Sequence, residues 1–196
     1  MEIKYRFTDT EIKKLLEENF VILYDTREQE NQHILDYFDK KKIKYKKQTV
    51  KEGDYTPIIT KNVDLGIYRD IYFPVAIERK NGVDELANNL GEKTDSRDDV
   101  RLVRELHRAK VKGIKIFMIV EEKNGMENII NNNYRSMYKP KAFVARLKSI
   151  HFNYLSGLEF INKAYAGFEI HKILYYAVME TLKQGEIDIS PIANES

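Results

Sequence analysis

Hydrophobic positions along the chain alternate between two spacings, one typical of helices and the other typical of strands. Ile12 and Leu15 recur at helical spacing, and Thr8 followed by Glu11 ahead of them predicts a capping box. In such a box the two side chains satisfy backbone N–H groups of the first helical turn. The apolar run Phe20–Tyr24 comes next and predicts a short buried strand. The chain therefore opens with a helix followed by a strand.

The same alternation continues along most of the chain. Gly53 and Gly82 mark turns between predicted elements, and Pro140 is suited to the first turn of a helix. The segment 124–139 is rich in Asn and predicts a long loop or a frayed helix. We predict further helices over residues 34–42, 83–90, 100–109, 140–153 and 164–184, and further strands near residues 43–50, 55–60, 63–68, 71–78, 114–120 and 157–161.

Helices alternating with strands predict an α/β fold. The chain has 196 residues, enough for one full core, and no segment has the composition of a linker. We therefore expect a single domain over residues 1–185 and a flexible tail over residues 186–196. The last predicted helix carries an apolar stripe that is most simply part of the core.

Composition excludes several classes of protein. Cysteine is absent, which excludes disulfide frameworks, thiol nucleophiles and thiolate metal sites, and fits an intracellular, cytoplasmic protein. The longest apolar run, residues 173–179, is far shorter than the ~20 residues that span a membrane, so no membrane association is expected. The net charge is only +2, so any case for nucleic-acid binding must come from local clusters of charge.

Three acidic residues lie where predicted strands and turns end. Asp25 follows the first strand, Asp54 lies in a turn after Gly53, and Glu78 is near the end of another strand. Because side chains alternate along a strand, Glu78 and Lys80 should share one face while Arg79 points to the other. Carboxylates that converge from separate elements are suitable ligands for Mg²⁺, and a neighbouring ammonium could offset charge during phosphodiester hydrolysis.

A second interpretation of the same residues is an ion-pair cluster at the edge of a strand. Such clusters are common in a chain with this many charges. If the catalytic interpretation holds, Asp54 and Lys80 should line a solvated pocket. Asp54→Asn and Lys80→Ala should then abolish cleavage and leave folding nearly unchanged.

The order of these residues resembles a known family. Gly53-Asp54, Glu78-Arg79-Lys80 and then Asp84 resemble the GD…ERKxxxD motif of the XPF-type structure-specific nucleases. The strand of residues 21–24 with the turn Asp25-Thr-Arg27-Glu28 resembles the opening strand and turn of that family. Residues 116–121 resemble a later apolar strand of the family that ends in Glu. The resemblance covers residues 21–121, roughly half of the chain, and we expect residues 122–185 to form a C-terminal extension of the nuclease domain.

The resemblance implies a fold and a chemistry. The expected fold is a restriction-endonuclease-like α/β core, with a mixed central sheet flanked by helices. The expected activity is cleavage of DNA with Mg²⁺ or Mn²⁺, on branched or otherwise structured substrates in repair, recombination or phage DNA processing. The roles implied for individual residues are: Asp54 and Glu78 as metal ligands, Asp25 as support for the metal, Lys80 as the catalytic cation, Arg27 and Glu28 as a charged turn, Arg79 at the phosphate or in site structure, and Asp84 as a supporting carboxylate.

The chain departs from the family pattern in two ways. The spacer between Asp54 and Glu78 is long, which predicts a longer or an extra hairpin. The arginine that often follows the Asp84 helix corresponds to Arg97 or Arg101. No segment resembles a helix–hairpin–helix module, so the chain is more like the compact phage and bacterial members.

Basic residues cluster in two places. Seven lysines lie between residues 40 and 51, including Lys46 and Lys47, and a second set follows Asp84 at roughly helical spacing, with Arg97, Arg101 and Arg104. A run of lysines is more often a solvated face than a DNA contact. We expect the second set, on the helix after the catalytic strand, to contact DNA phosphates more strongly than the first.

Two alternatives to a structure-specific nuclease stay open. One is a non-catalytic DNA-binding or scaffold subunit with the same fold, although such partners typically lose the acidic residues that are intact here. The other is a sequence-specific restriction-like endonuclease, which would need a segment that reads bases. We also expect DNA as the partner, a homodimer through the C-terminal helices as a second possibility, and no nucleotide cofactor, because residues 91–94 lack the glycine pattern of a phosphate loop.

Overall fold

The structure, a computed structural model, describes residues 3–91 and 100–190. The chain divides into two compact units. Among the described residues, the first unit comprises residues 3–49, 55–73 and 168–190, and the second comprises residues 50–54, 74–91 and 100–167. The single domain of residues 1–185 stays a prediction. No helix among the described residues is long and apolar enough to span a membrane.

Helices and strands alternate as the hydrophobic pattern predicts. In chain order the elements are β1 (Lys4–Tyr5), α1 (Asp9–Glu18), β2 (Phe20–Tyr24), α2 (Gln32–Lys41), β3 (Tyr45–Lys47), β4 (Tyr55–Ile59), β5 (Ile71–Tyr72), β6 (Val75–Lys80), α3 (Val83–Gly91), α4 (Arg101–Val111), β7 (Lys115–Val120), α5 (Gly125–Ile130), α6 (Pro140–Tyr154), β8 (Leu155–Phe160), α7 (Ala166–Gln184) and β9 (Ile187–Asp188).

The first unit contains a mixed sheet. Strand β2 pairs in parallel with β3 and antiparallel with β4, and β4 pairs antiparallel with β5. The predicted capping box at the start of α1 is present, since the Thr8 hydroxyl accepts from the Glu11 N–H and the Glu11 carboxylate accepts from the Thr8 N–H. Three members of the apolar stripe of α7 are fully buried, as predicted, namely Ile170, Leu174 and Val178, while Ala177 and Thr181 are only partly buried.

The second unit is built on three parallel strands. Val75 of β6 lies opposite Lys115 of β7, and Ile116 of β7 lies opposite Leu155 of β8. All six residues of β6 are buried, as expected for a parallel strand that is covered on both faces. Helices α3, α4, α5 and α6 supply the apolar side chains that complete this core. The carboxyl ends of β6 and β7 therefore meet at one edge, where Lys80 and Glu121 lie.

Three segments differ from the prediction. Residues 63–68 were predicted as a strand, but Val63–Leu65 forms a 3₁₀ turn, because the Asn62 side chain accepts from the Leu65 N–H and Gly66 takes a left-handed conformation. The strand predicted over residues 71–78 is divided at Pro74 into β5 and β6. Within the segment predicted as a loop or frayed helix, Gly125–Ile130 forms the short helix α5.

The described part of the predicted tail is also paired. Strand β9 pairs antiparallel with β1, and the Arg69 guanidinium donates to the Ser190 carbonyl at 2.8 Å and to the Asp188 carboxylate at 3.1 Å. Residues 186–190 are therefore attached to the first unit and are not a loose end. Residues 191–196 lie outside the described part of the chain.

His171 of α7 gives the first unit a testable pH dependence. Its ring packs edge-on against Phe20, at 6.0 Å, and lies 5.5 Å from the ring of Tyr175. Burial, with a smaller contribution from Lys172, lowers the pKa of His171 to about 4. An unfolded histidine has a pKa near 6.5, so the unfolded state binds a proton at a higher pH than the folded state does.

As the pH falls from 6.5 to 4, protonation of His171 alone should lower the free energy of unfolding by about 1–2 kcal/mol. This figure already allows for the partial exposure of the His171 side chain. His171→Phe keeps the ring contacts and should remove this part of the pH dependence. Urea unfolding of both proteins at pH 7 and pH 4.5 measures it. An equal loss of stability in the two proteins would contradict the assignment.

Candidate active site

The turn of Glu52, Gly53 and Asp54 is held against β6. Gly53 has a φ of +77°, and a Cβ at this position would lie 2.9 Å from the carbonyl oxygen of Ile77, so only glycine fits. The Asp54 N–H donates to that same oxygen at 2.7 Å, and the Asp54 carboxylate accepts from the backbone N–H of Arg79 at 2.7 Å. Two hydrogen bonds thus fix the carboxylate of Asp54 beside the end of β6.

Glu52, the first residue of this turn, attaches it to helix α4. Its side chain is 3% exposed, and one carboxylate oxygen accepts from the Lys112 ammonium at 2.5 Å. The other oxygen lies 3.9 Å from the Arg108 guanidinium. No sequence pattern singles out Glu52 among the many charged residues of the chain. Its burial shows that it supports the position of the Asp54 turn.

Glu78 and Lys80 meet on one face of β6, as strand alternation predicts. The Lys80 ammonium donates to a Glu78 carboxylate oxygen at 2.8 Å and lies 3.5 Å from the carboxylate of Glu85. Both members of the Glu78–Lys80 pair are buried, with side-chain exposures of 10% and 8%. The expectation that Lys80 lines a solvated pocket is therefore wrong, and this bears on what its replacement does to folding.

Lys80 is held as a cation. Burial by itself would lower the pKa of the Lys80 amine, but Glu78, through its charge and its hydrogen bond, raises it, and the charges of Asp54 and Glu85 act in the same direction. The net pKa of Lys80 is raised above its usual value. The ammonium is therefore the common neighbour of three carboxylates at the end of β6.

Arg79 points to the opposite face and forms a buried ion pair. Its guanidinium donates to the Glu121 carboxylate at 3.1 Å, and the side-chain exposures are 6% and 0%. Lys163 lies 3.8 Å from the same Glu121 oxygen. Since Glu121 directly follows β7, this pair links the ends of two neighbouring strands. The Arg79 side chain thus contacts Glu121, while its backbone N–H donates to the Asp54 carboxylate.

Asp84 and Glu85 have different neighbours, although both lie in the first turn of α3. The Asp84 carboxylate accepts from the backbone N–H of Arg135 at 2.6 Å and is half exposed. Glu85 is the carboxylate near Lys80, and it also accepts from the Asn81 N–H at 2.8 Å. The sequence motif drew attention to Asp84, whereas the structure brings Glu85 to Lys80.

A polar cleft opens beside this group of residues. Its volume is about 590 Å³, and its lining includes Asn81, Asp84, Glu85 and Glu122. Glu85 contacts Lys80 and also lines the cleft. Only the Glu85 side chain therefore separates the buried Lys80 from a space that a substrate could enter. The cleft thus provides access to the end of β6.

Asp25, Arg27 and Glu28 lie in the first unit, at the end of β2. The Asp25 side chain is 1% exposed and accepts from both the backbone N–H of Arg27, at 2.8 Å, and its guanidinium, at 2.7 Å. The Glu28 N–H donates to the Asp25 carbonyl at 3.1 Å, which closes the turn. These contacts explain why a buried aspartate and an exposed arginine occur two residues apart in this turn.

The predicted DNA-binding residues are exposed where the structure describes them. Arg101 and Arg104 lie on the outer side of α4, where the Arg101 guanidinium donates to Glu105 at 2.9 Å. Lys46 and Lys47 are exposed on β3 in the first unit. Arg97 lies outside the described residues.

The side chains at the end of β6 carry the type of donor atom that a hard divalent cation prefers. Asp54 and Glu78 supply carboxylate oxygens, the donors that Mg²⁺ and Mn²⁺ prefer. Over residues 3–91 and 100–190, no group of three or more acidic or histidine side chains forms a complete metal cluster. A small protein donor set suits Mg²⁺, which usually keeps several waters and binds through one or two carboxylates. The three-ligand set with Asp25 stays a prediction.

Comparison with known proteins identifies the family. The model of the ERCC4 domain matches residues 24–170, three quarters of the chain, and this range contains every residue of the motif. The chain therefore belongs to the ERCC4 domain family, and the predicted XPF-type family is confirmed. No curated protein sequence gives a significant match.

A solved structure, XPF from Aeropyrum pernix, has a similar fold. It is 15% identical to this chain, with a TM-score of 0.54 over 79% of this chain and 65% of that chain. The chain thus spans less than two thirds of the length of that structure. The predicted α/β class, a restriction-endonuclease-like fold with a mixed sheet and flanking helices, is confirmed.

Proposed function

We propose that this chain is a metal-dependent endonuclease that hydrolyses phosphodiester bonds in branched or otherwise structured DNA. The observation that carries the proposal is the arrangement at the end of β6, where the Lys80 ammonium donates to Glu78 at 2.8 Å and interacts with Asp54. A flap, fork or junction in DNA repair, recombination or phage DNA processing would be the substrate. The protein would then act in the cytoplasm, with that DNA.

The chain's own residues would divide the work. The Lys80 ammonium would offset the negative charge that develops on the phosphoryl group, or orient the attacking water. The backbone N–H of Arg79 would keep the Asp54 carboxylate in place, and Glu85 would keep Lys80 directed toward the cleft. Positioning of this kind matters because small displacements of reacting groups reduce rates strongly.

Asp54 and Glu78 are the residues that would hold a Mg²⁺ or Mn²⁺ ion, with Asp25 as the predicted supporting carboxylate. Such an ion would supply Lewis acidity toward a phosphoryl oxygen and toward the attacking water. The carboxylate donors that the structure brings beside Lys80 support this choice of metal over a softer one.

Cleavage assays on a set of labelled DNA substrates test the proposal. Duplex, single-stranded, flap, fork and four-way-junction DNA would each be incubated with the protein in Mg²⁺, in Mn²⁺ and in EDTA. We expect cuts in at least one structured substrate and none in EDTA. Binding to junctions without any cut would favour the alternative of a non-catalytic DNA-binding subunit. Cuts at a fixed base sequence in plain duplex would favour a restriction-like enzyme.

Arg101 and Arg104 are the proposed phosphate contacts of α4. Replacing both with Ala should weaken DNA binding and lower the slope of log K against log salt by about 0.7–0.9 for each contact that is lost. Fluorescence anisotropy at several salt concentrations measures the slope. The matched control is Lys46→Ala with Lys47→Ala in the first unit, for which we expect the smaller change. An unchanged slope in the arginine variant would rule out these contacts.

A homodimer through the C-terminal helices stays part of the proposal. The apolar stripe of α7 is already buried in the monomer, so a dimer contact would use the exposed side of α7, for example Phe168 and Tyr176, which are 40% and 51% exposed. Light scattering at tens of micromolar measures the mass, and a monomeric mass would count against the dimer.

A further inference from the structure

Two helices of the second unit carry an unusual excess of positive charge. Helix α4 contains four Lys or Arg residues and one acidic residue, Glu105, while α6 contains three Lys or Arg residues and no acidic residue. The whole chain is nearly balanced, with 33 basic and 31 acidic residues. The excess is therefore local, and it favours a polyanion at the outer side of these helices.

The outer side of α6 combines this charge with an exposed aromatic ring. Lys141, Ala145, Lys148 and Phe152 are spaced four, three and four residues apart, which puts them on one face of the helix, and all four are exposed. The Phe152 side chain is 91% exposed. A phenylalanine with so little of its ring buried gains nothing from the core of the protein.

A second aromatic residue, Tyr154, ends the same helix but lies on its other side. It comes two residues after Phe152, about 200° around the helix, and packs against the core of the second unit. The ammonium of Lys110 lies 5.6 Å from the centre of the Tyr154 ring, and the ring of His107 lies 6.2 Å from it, edge-on. The exposed face of α6 is therefore distinct from its contact with α4. We call Lys141, Lys148 and Phe152 the α6 surface.

The Phe152 end of the α6 surface lies at the opposite end of the parallel strands from the candidate active site. Strand β8 begins directly after Tyr154, and its first residue is level with Ile116 of β7 and therefore with Ala76 near the start of β6. Lys80 lies at the other end of β6. At ~3.3 Å per residue, the aromatic end of α6 is about 15 Å from Lys80 along the strand direction.

We propose that the α6 surface binds a single-stranded segment of DNA, with a base stacked on Phe152 and phosphates next to Lys141 and Lys148. Stacking on an aromatic ring beside basic side chains is how proteins hold single strands without reading their sequence. The inference rests on the proposed function, because such a segment would be the unpaired part of a structured substrate. It adds a second contact, remote from the bond that is cut.

Charge distinguishes this occupant from a protein partner. A second copy of the chain would bring the same cations against this surface, and like charges across an interface are unfavourable. Base pairs of an intact duplex are stacked on each other and offer no free base to Phe152. A single strand supplies both the negative charge and the free base, so it fits both features of the surface.

Fluorescence of 2-aminopurine tests the proposal without any need for cleavage. A single-stranded oligonucleotide that contains this base would be titrated with the full chain in EDTA. We expect the fluorescence to be quenched on binding, and Phe152→Ala to reduce the quenching and weaken binding by about tenfold. Lys148→Ala should keep the quenching but lower the salt slope by about 0.7.

Tyr68→Ala is the matched control, because Tyr68 is an aromatic residue of the first unit that is 57% exposed. It should leave both quenching and affinity unchanged. Phe152 is exposed, so its replacement should not alter folding, which thermal unfolding would verify. The proposal would be overturned if the wild type and Phe152→Ala showed equal quenching. It would also be overturned if Tyr68→Ala lost as much quenching and affinity as Phe152→Ala.

Two further results would also separate the possibilities. A dimeric mass that Phe152→Ala converts to a monomer, with no quenching in the wild type, would overturn the proposal in favour of an interface between copies. Quenching that depends on Phe152 in a protein that cuts no DNA would support this inference while contradicting the proposed nuclease. Cleavage without quenching would contradict this inference alone.

Discussion

Lys80→Ala is expected to abolish cleavage and to lower the free energy of unfolding by about 3–5 kcal/mol. Lys80 is buried, and its ammonium neutralises the buried carboxylate of Glu78 and the nearby carboxylate of Glu85. Its removal leaves negative charge in a site that is poor in water. In addition, the proposed reaction loses the cation that offsets charge at the phosphoryl group. Chemical unfolding and a cleavage assay measure the two effects separately.

A double variant separates the role of Lys80 in folding from its role in chemistry. Adding Glu78→Gln to Lys80→Ala removes the uncompensated charge, so most of the lost stability should return. Cleavage should stay absent, because the cation is still missing and Glu78, a proposed metal ligand, is now replaced as well. If Lys80→Ala is as stable as the wild type, the buried ion pair described here is wrong.

Arg79→Met is expected to have the second large effect. It should lower the free energy of unfolding by about 3–5 kcal/mol. It leaves the carboxylate of Glu121, which is fully buried, without its guanidinium partner. Lys163 lies 3.8 Å from that carboxylate and can compensate only in part, since its side chain is 48% exposed. Because the pair joins the ends of β6 and β7, the loss should also disturb the backbone N–H that orients Asp54.

Two controls distinguish a buried ion pair from general damage to packing. Lys163→Met removes an exposed partner of Glu121 and should cost no more than about 1 kcal/mol. Arg79→Met combined with Glu121→Met removes both charges, and replacing a whole buried pair with apolar side chains is often nearly neutral. Urea unfolding of the three variants gives the comparison. Equal losses for Arg79→Met and Lys163→Met would contradict the assignment.

The order of elements could be predicted because it depends on local patterns. The capping box of Thr8 and Glu11, the buried strand Phe20–Tyr24 and the first-turn position of Pro140 all follow from short-range rules, and the structure contains each of them. The failure at residues 63–68 has a local cause too. Val63, Leu65 and Ile67 alternate as in a strand, but the Asn62 side chain and the left-handed Gly66 stabilise a turn.

The candidate site could be predicted only in part, because partners distant in sequence decide burial. Alternation along β6 correctly placed Glu78 with Lys80 and Arg79 on the other face. No sequence pattern near Lys80 indicated that it would be buried against Glu85. That contact depends on the direction of α3 relative to β6, which local patterns do not determine. Glu52 was missed for the same reason, and Glu121 was noted at the end of a family-like strand but given no role. Their partners, Lys112 and Arg79, lie 60 and 42 residues away.

The measurement that tests the central claim most directly compares the wild type with Asp54→Asn on one structured DNA substrate in Mg²⁺. Asn at this position can still accept the hydrogen bond from the Arg79 N–H, so folding should change little, while the negative charge that would bind the metal is lost. We predict that the wild type cuts the substrate and that Asp54→Asn cuts it at least ~100-fold more slowly. Equal cleavage by the two proteins would contradict the account of the site.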